Sequence, residues 1–288
     1  MLPNRQSLRE LFRCRGLQIL IAALVVAGFN AAGAAEPASA PAADTASNNP
    51  AEALEEVEVT ARRRKLDWVQ RNELVQEAAT FVYGIAAAGP EDQLARWGAP
   101  VCPYLKGLRQ EEGQYILERI WSTARAAGGA WLAAKSRCQP NLRIYVTPQP
   151  KEFLRHSDLL RRATQFQIDQ FIDQPGPVWV WHNGHGVGNG IGTFGPVVVV
   201  VDRARLTGVS QKQFADYVAM VSLAQIKRTA HLGDARTILR LFDGPPESAP
   251  EGLSDWDQAF LRMLYTPQRS LAKERPNIAR RMIRELVP

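Results

Sequence analysis

The chain has 288 residues, 45% of them apolar, with 35 Lys and Arg against 29 Asp and Glu for a formal charge of +6. The first 35 residues hold four Arg and one Glu, so the remainder carries 31 basic against 28 acidic residues, a surplus of only +3. That argues against a dedicated nucleic-acid binder, which concentrates Lys and Arg on one face, and the length suits one domain with a proper core.

Arg5, Arg9, Arg13 and Arg15 precede an apolar run from Leu17 to Phe29, and Ala31-Ala32-Gly33-Ala34-Ala35 follows it. Basic, apolar and small stretches in this order read as a secretory signal over residues 1–35, cleaved near Ala34 or Ala35. The apolar run falls within the ~7–15 residues of a signal core and short of the ~20 that span a bilayer. The expected product is periplasmic or secreted, with no transmembrane helix in the mature chain. Residues 36–65 read as a disordered leader, because Glu36 to Asn49 is Ala, Pro, Ser, Thr and Asn with almost nothing apolar to offset the entropy of ordering. The leader ends in a short alternating segment, Glu55-Glu56-Val57-Glu58-Val59-Thr60-Ala61, and the basic run Arg62-Arg63-Arg64.

A single globular domain is expected over 66–288. Leu66, Val69, Leu74, Ala78, Phe81, Val82 and Ile85 have helical spacing up to the Ala-Gly-Pro at 88–90. An extended piece from Val101 to Leu108 carries Cys102, and a helix from Gln110 to Ala127 ends at Gly128-Gly129. With Cys14 in the signal, Cys102 and Cys138 remain, and in an oxidising compartment the pair is expected to form a disulfide. Leu142 to Thr147 alternates as a strand does, and one amphipathic helix is expected from Pro150 to Ile172. Val178-Trp179-Val180-Trp181 and the unbroken run Val197–Val201 read as strands, the second covered on both faces. Helices follow at Ser210 to Ile226, at Asp255 to Tyr265 behind a Ser254/Asp257 capping box, and at Pro276 to Leu286 with Pro276 as first helical residue. Strands interleaved with helices, then helices alone, give an α+β (mixed α/β) domain: a central sheet flanked by helices, with a helical C-terminal part.

Few residues suggest chemistry. His182 and His185, three apart at a strand end, could both reach one metal ion, but zinc needs a third protein ligand, and no Asp, Glu or His follows before Asp202. Gly190-Ile191-Gly192-Thr193-Phe194-Gly195 matches G-x-G-x-x-G literally, yet it leads into Pro196 and a valine strand where a dinucleotide site needs a helix. Asp216, Asp234, Asp255 and Asp257 invite a paired-carboxylate reading, but two of them have ready roles at helix starts. Arg280, Arg281 and Arg284 read as the solvated face of a helix whose Ile278, Met282 and Leu286 turn to the core. No complete catalytic constellation appears, so neither catalytic residues nor a cofactor is expected.

From Asp216 onward the chain resembles exported bacterial proteins of unknown function whose fold is similar to that of zincin metallopeptidases. The resemblance rests on the helix from Phe214 to Ile226, on Leu232-Gly233-Asp234, and on Leu253-Ser254-Asp255-Trp256-Asp257 leading into Phe260-Leu261-x-x-Leu264-Tyr265-x-Pro267. It covers about a quarter of the chain and implies a zincin-like fold. In a working zincin the corresponding helix carries His-Glu-x-x-His, two imidazoles on one face with a Glu that activates the metal-bound water. Here Gln211 to Ile226 holds neither His nor Glu, and Met220-Val221-Ser222-Leu223-Ala224 stands at its heart; only His231, just beyond, resembles a third ligand. The implied protein is non-catalytic, with a binding or structural role. The alternative is a metal-dependent hydrolase built from His182, His185 and a distant acid. Glu55 to Arg64 also resembles the TonB-box region of outer-membrane receptors, which implies an envelope adaptor contacting a partner protein through Glu56, Val57, Val59 and Thr60.

Overall fold

The computed structural model describes residues 69–287 except 90–91, 130, 133–137, 161–162, 186–191, 228–229, 231, 233–234 and 268–272, with only the backbone at 183–185. All of these belong to one unit, 51–288. The signal, the leader and the Glu56–Thr60 segment lie outside the described residues.

The valine run dictates the architecture. Strand β5 (Thr193–Asp202) is paired on one edge by the antiparallel strand β4 (Val178–His185), from Val178↔Val201 to His185↔Thr193. Its other edge is therefore shared end to end by two parallel strands. Strand β1 (Arg96–Trp97) lies opposite Thr193 and Phe194, and β3 (Leu142–Thr147) runs from Leu142↔Val197 to Thr147↔Asp202. Strand β2 (Pro103–Lys106) adds outside β3 in parallel. With side chains alternating across the sheet, Val197, Val199 and Val201 enter one core, and Val198 and Val200 enter another on the opposite face. A run without polar interruption is what a central strand covered on both sides requires.

The larger core lies under five helices: α1 (residues 69–85), α2 (Gln110–Gly128), α5 (Gln211–Leu223), α6 (Asp255–Tyr265) and α7 (Glu274–Leu286). On the opposite face, among the described residues, α3 (Pro150–Arg155), α4 (Gln165–Ile172) and the turn between them pack, through Leu154, Leu160, Phe171 and Ile172 against Trp179, Val198 and Val200. The domain is thus an α+β fold built on a mixed sheet.

The long helix expected over 150–172 is two. Ser157 turns its hydroxyl onto the Leu154 carbonyl (3.2 Å), a single 3-10 turn covers Asp158–Leu160, and Thr164 caps a fresh helix by accepting from Gln167 N (3.3 Å). The apolar spacing survived the break because both pieces cover the same sheet face. Helix α7 begins two residues before Pro276, at Glu274, whose fully buried carboxylate accepts from Leu94 N (2.7 Å) and pairs with Arg96. Pro276 still falls in the first turn, where N–H groups have no intrahelical acceptor. Its solvated face carries Arg280 and Arg284, while Ile278 and Met282 are buried.

The expected pair, Cys102 and Cys138, is a disulfide with Cα atoms 5.9 Å apart. Beside it Asn141 ties three segments together: its Oδ1 accepts from Cys102 N (2.7 Å), its Nδ2 donates to Pro100 O (2.9 Å), and its carbonyl accepts from Val197 N (2.8 Å). Gly107, at the end of β2, has φ +106°, and a Cβ there would stand 1.9 Å from the Val146 carbonyl oxygen, so this turn admits only glycine.

Candidate functional site at the end of helix α5

Helix α5 begins at Ser210, whose hydroxyl accepts from Gln213 N (3.1 Å) while the Gln213 side chain accepts from Ser210 N (3.0 Å). Ten of its thirteen residues are buried, among them Met220, Val221, Ser222 and Leu223. A helix apolar nearly all round belongs inside a core, not on a surface.

Its single carboxylate is spoken for. Asp216, fully buried, accepts both guanidinium nitrogens of Arg119 on α2 (2.6 and 2.9 Å), Lys212 Nζ (3.3 Å) and Leu253 N (3.0 Å). That charge-assisted bonding raises the Arg119 pKa. The 250s loop approaches so closely that a Cβ on Gly252 would lie 2.3 Å from Asp216 Oδ2.

The C-terminal end is the distinctive feature. A helix leaves its last carbonyls without intrahelical donors, and here those after Met220 are taken by separate elements. Met220 O accepts from Ala224 N (3.2 Å), Val221 O from His182 Nε2 on β4 (3.0 Å), Ser222 O from Trp97 Nε1 on β1 (2.9 Å), and Leu223 O from the Tyr265 hydroxyl on α6 (2.6 Å). The same hydroxyl accepts from Trp97 N (3.3 Å), which joins two of the donors. Ring packing completes the clamp: Phe194 lies 4.7 Å from the His182 imidazole and 5.9 Å, edge to face, from Trp97.

Strand alternation explains why His182 is available. It sits two residues beyond Val180 and therefore faces the α5 side of the sheet, whereas Trp179 and Trp181 face α4. Bonding a carbonyl requires a proton on Nε2. Burial lowers the His182 pKa to about 4, outweighing the bond to Val221 O, so the ring is neutral at ordinary pH. Burial likewise raises the Tyr265 pKa, against the opposing bond from Trp97. Next to this network Ser222 Oγ is buried with no hydrogen-bond partner among the described residues.

Among the described residues, those suggested by the sequence do not converge. His185 has its backbone at the end of β4, opposite Thr193, with its side chain outside the described residues, as are His231 and Asp234 entirely. Asp255 is exposed in the first turn of α6. Asp257 is fully buried and works as a cap, accepting from Ser254 N (3.0 Å), Ile238 N (2.9 Å) and the Thr237 hydroxyl (2.5 Å); desolvation raises its pKa against these bonds. Thr193, Phe194 and Gly195 of the Gly190–Gly195 motif lie in β5, so they open a strand and not the helix N-terminus that would hold a phosphate. Among the described residues no three His, Cys, Asp or Glu gather as a metal site would need. The donor set of α5 does not fit zinc, since its one acidic side chain is held by Arg119, Lys212 and a backbone N–H. A cavity of about 110 Å³ opens between α2 and α6, flanked by Arg119 and Arg262, but their guanidiniums are paired with Asp216 and Glu285.

Trp97 had no signal in the sequence, since a two-residue strand leaves no periodicity. Tyr265 stood at the end of a legible helix, but nothing local marks its hydroxyl as a donor to α5. Among the described residues no helix is long and apolar enough to cross a membrane. Comparison of the chain with protein-family models, with curated proteins and with solved structures finds no match.

Proposed function

We propose that the protein is exported through its N-terminal signal and acts outside the cytoplasm as a non-catalytic binding or scaffold protein, its domain a zincin-like fold without the zinc chemistry. One observation carries the reading: the α5 end, where the resemblance puts the metal-binding helix, is closed by His182, Trp97 and Tyr265. The carbonyls there are bonded and the last turn of the helix carries no His, Asp or Glu, so α5 itself offers neither a metal ligand nor a base to a substrate. The Cys102–Cys138 disulfide suits an oxidising compartment.

The test is metal analysis of the purified protein with a peptidase assay on casein. The reading expects no bound zinc and no chelator-sensitive hydrolysis. Stoichiometric zinc, lost to chelator together with proteolysis, overturns it. Export is tested separately by fractionating cells and sequencing the mature N-terminus, which should begin next to Ala34 or Ala35.

A further inference from the structure

Helices α3 and α4 cover the second face of the sheet over β4 and β5, and α3 reaches β3 where Phe153 packs on Tyr145. Over β2 and β3 that face presents four alternating residues in register, Tyr104 opposite Arg143 and Lys106 opposite Tyr145. Tyr104 is 41% exposed, Arg143 and Lys106 are exposed, and Tyr145 is half-buried. The tyrosine rings lie diagonally, centroids 6.3 Å apart, and Phe153 of α3 extends the row 4.9 Å beyond Tyr145. Neither Lys106 nor Arg143 pairs with a carboxylate among the described residues, although most cations with a defined role in this fold do. The neighbouring Asp202 carboxylate caps Ala204 N (3.0 Å).

We propose that this ledge binds an acidic polysaccharide. Sheet residues are held rigidly, so little side-chain freedom is lost on contact. Two unpaired cations set between tyrosines offer positive charge beside flat rings with polar tips. That pattern fits a chain of sugar rings bearing carboxylates, the rings lying on Tyr104 and Tyr145 and the carboxylates on Lys106 and Arg143. A single-stranded nucleic acid offers similar chemistry; polysaccharide is preferred because the inference rests on the proposed export, which the Cys102–Cys138 disulfide suits. The ledge is separate from the α5 end, so the inference rests on the proposed export but not on how that helix is read.

The probe is a purified hexamer of mannuronate titrated into the protein and followed by tryptophan fluorescence and calorimetry, with cellohexaose and a dT12 oligonucleotide alongside. Mannuronate should bind with salt-sensitive affinity and cellohexaose should not register. K106Q/R143Q should weaken binding about tenfold and Tyr104→Ala about threefold, both with an unchanged urea midpoint because the positions are exposed. No mannuronate binding, equal binding by K106Q/R143Q, or tighter binding of dT12 would overturn the proposal.

Discussion

His182 gives the sharpest test of the α5 clamp. An ordinary histidine titrates near pH 6.5, whereas burial holds this one at about 4. Between these values the unfolded chain takes up a proton that the folded chain refuses, so stability is full above pH 6.5 and falls as the pH drops toward 4. Integrating the uptake from pH 7.5 to 4.5 gives a loss of about 2.5 kcal/mol, and water reaching the partly exposed residue reduces it to about 2 kcal/mol. His182→Gln keeps an N–H donor for the Val221 carbonyl but cannot titrate. Urea unfolding of wild type and variant, at both pH values, isolates the effect as a difference of differences. Asp257, whose carboxyl is raised, contributes with the opposite sign, destabilising as the pH rises, and cancels because both proteins carry it. The variant should be about 1 kcal/mol less stable at pH 7.5, having lost the ring contact with Phe194. Its acid-induced loss should be about 2 kcal/mol smaller than that of wild type. Equal pH dependence in the two proteins would refute the buried, neutral imidazole.

Two further expectations follow from buried groups. Replacing Cys102 and Cys138 together by Ser opens a loop of sequence separation 36 and should cost about 4 kcal/mol in the chain-entropy model, read as the urea midpoint against that of the oxidised protein; an unchanged midpoint contradicts it. Ser222→Ala removes a buried hydroxyl without a partner and should leave stability equal or raise it by about 1 kcal/mol, whereas a clear loss in thermal unfolding would reveal a bond that the geometry does not contain.

Much of the scaffold could be read from local pattern. Val197–Val201 announced a central strand because only burial on both faces tolerates five β-branched residues in a row. The Ser254/Asp257 box was legible too, since capping uses neighbours in sequence. The 150–172 segment misled because apolar spacing reports the face that is buried, and two short helices on one sheet face keep the spacing of one long one. The clamp was illegible for another reason. Trp97, His182 and Tyr265 meet the α5 end across separations of 125, 39 and 42 residues, and no periodicity links positions so far apart. For the same reason the sheet ledge escaped notice: Tyr104 and Arg143 are ordinary surface residues until β2 and β3 are aligned.

The distances spanned by those three bonds also constrain when the domain can close. A chain emerging residue by residue holds the end of α5 forty residues before Tyr265 arrives, with the Leu223 carbonyl still lacking its donor. Since a buried carbonyl without a donor costs about 1–3 kcal/mol, the helix end is less stable until α6 is present. A nascent chain cut off short of Tyr265 thus lacks one donor of the clamp and should fold less tightly than the whole domain.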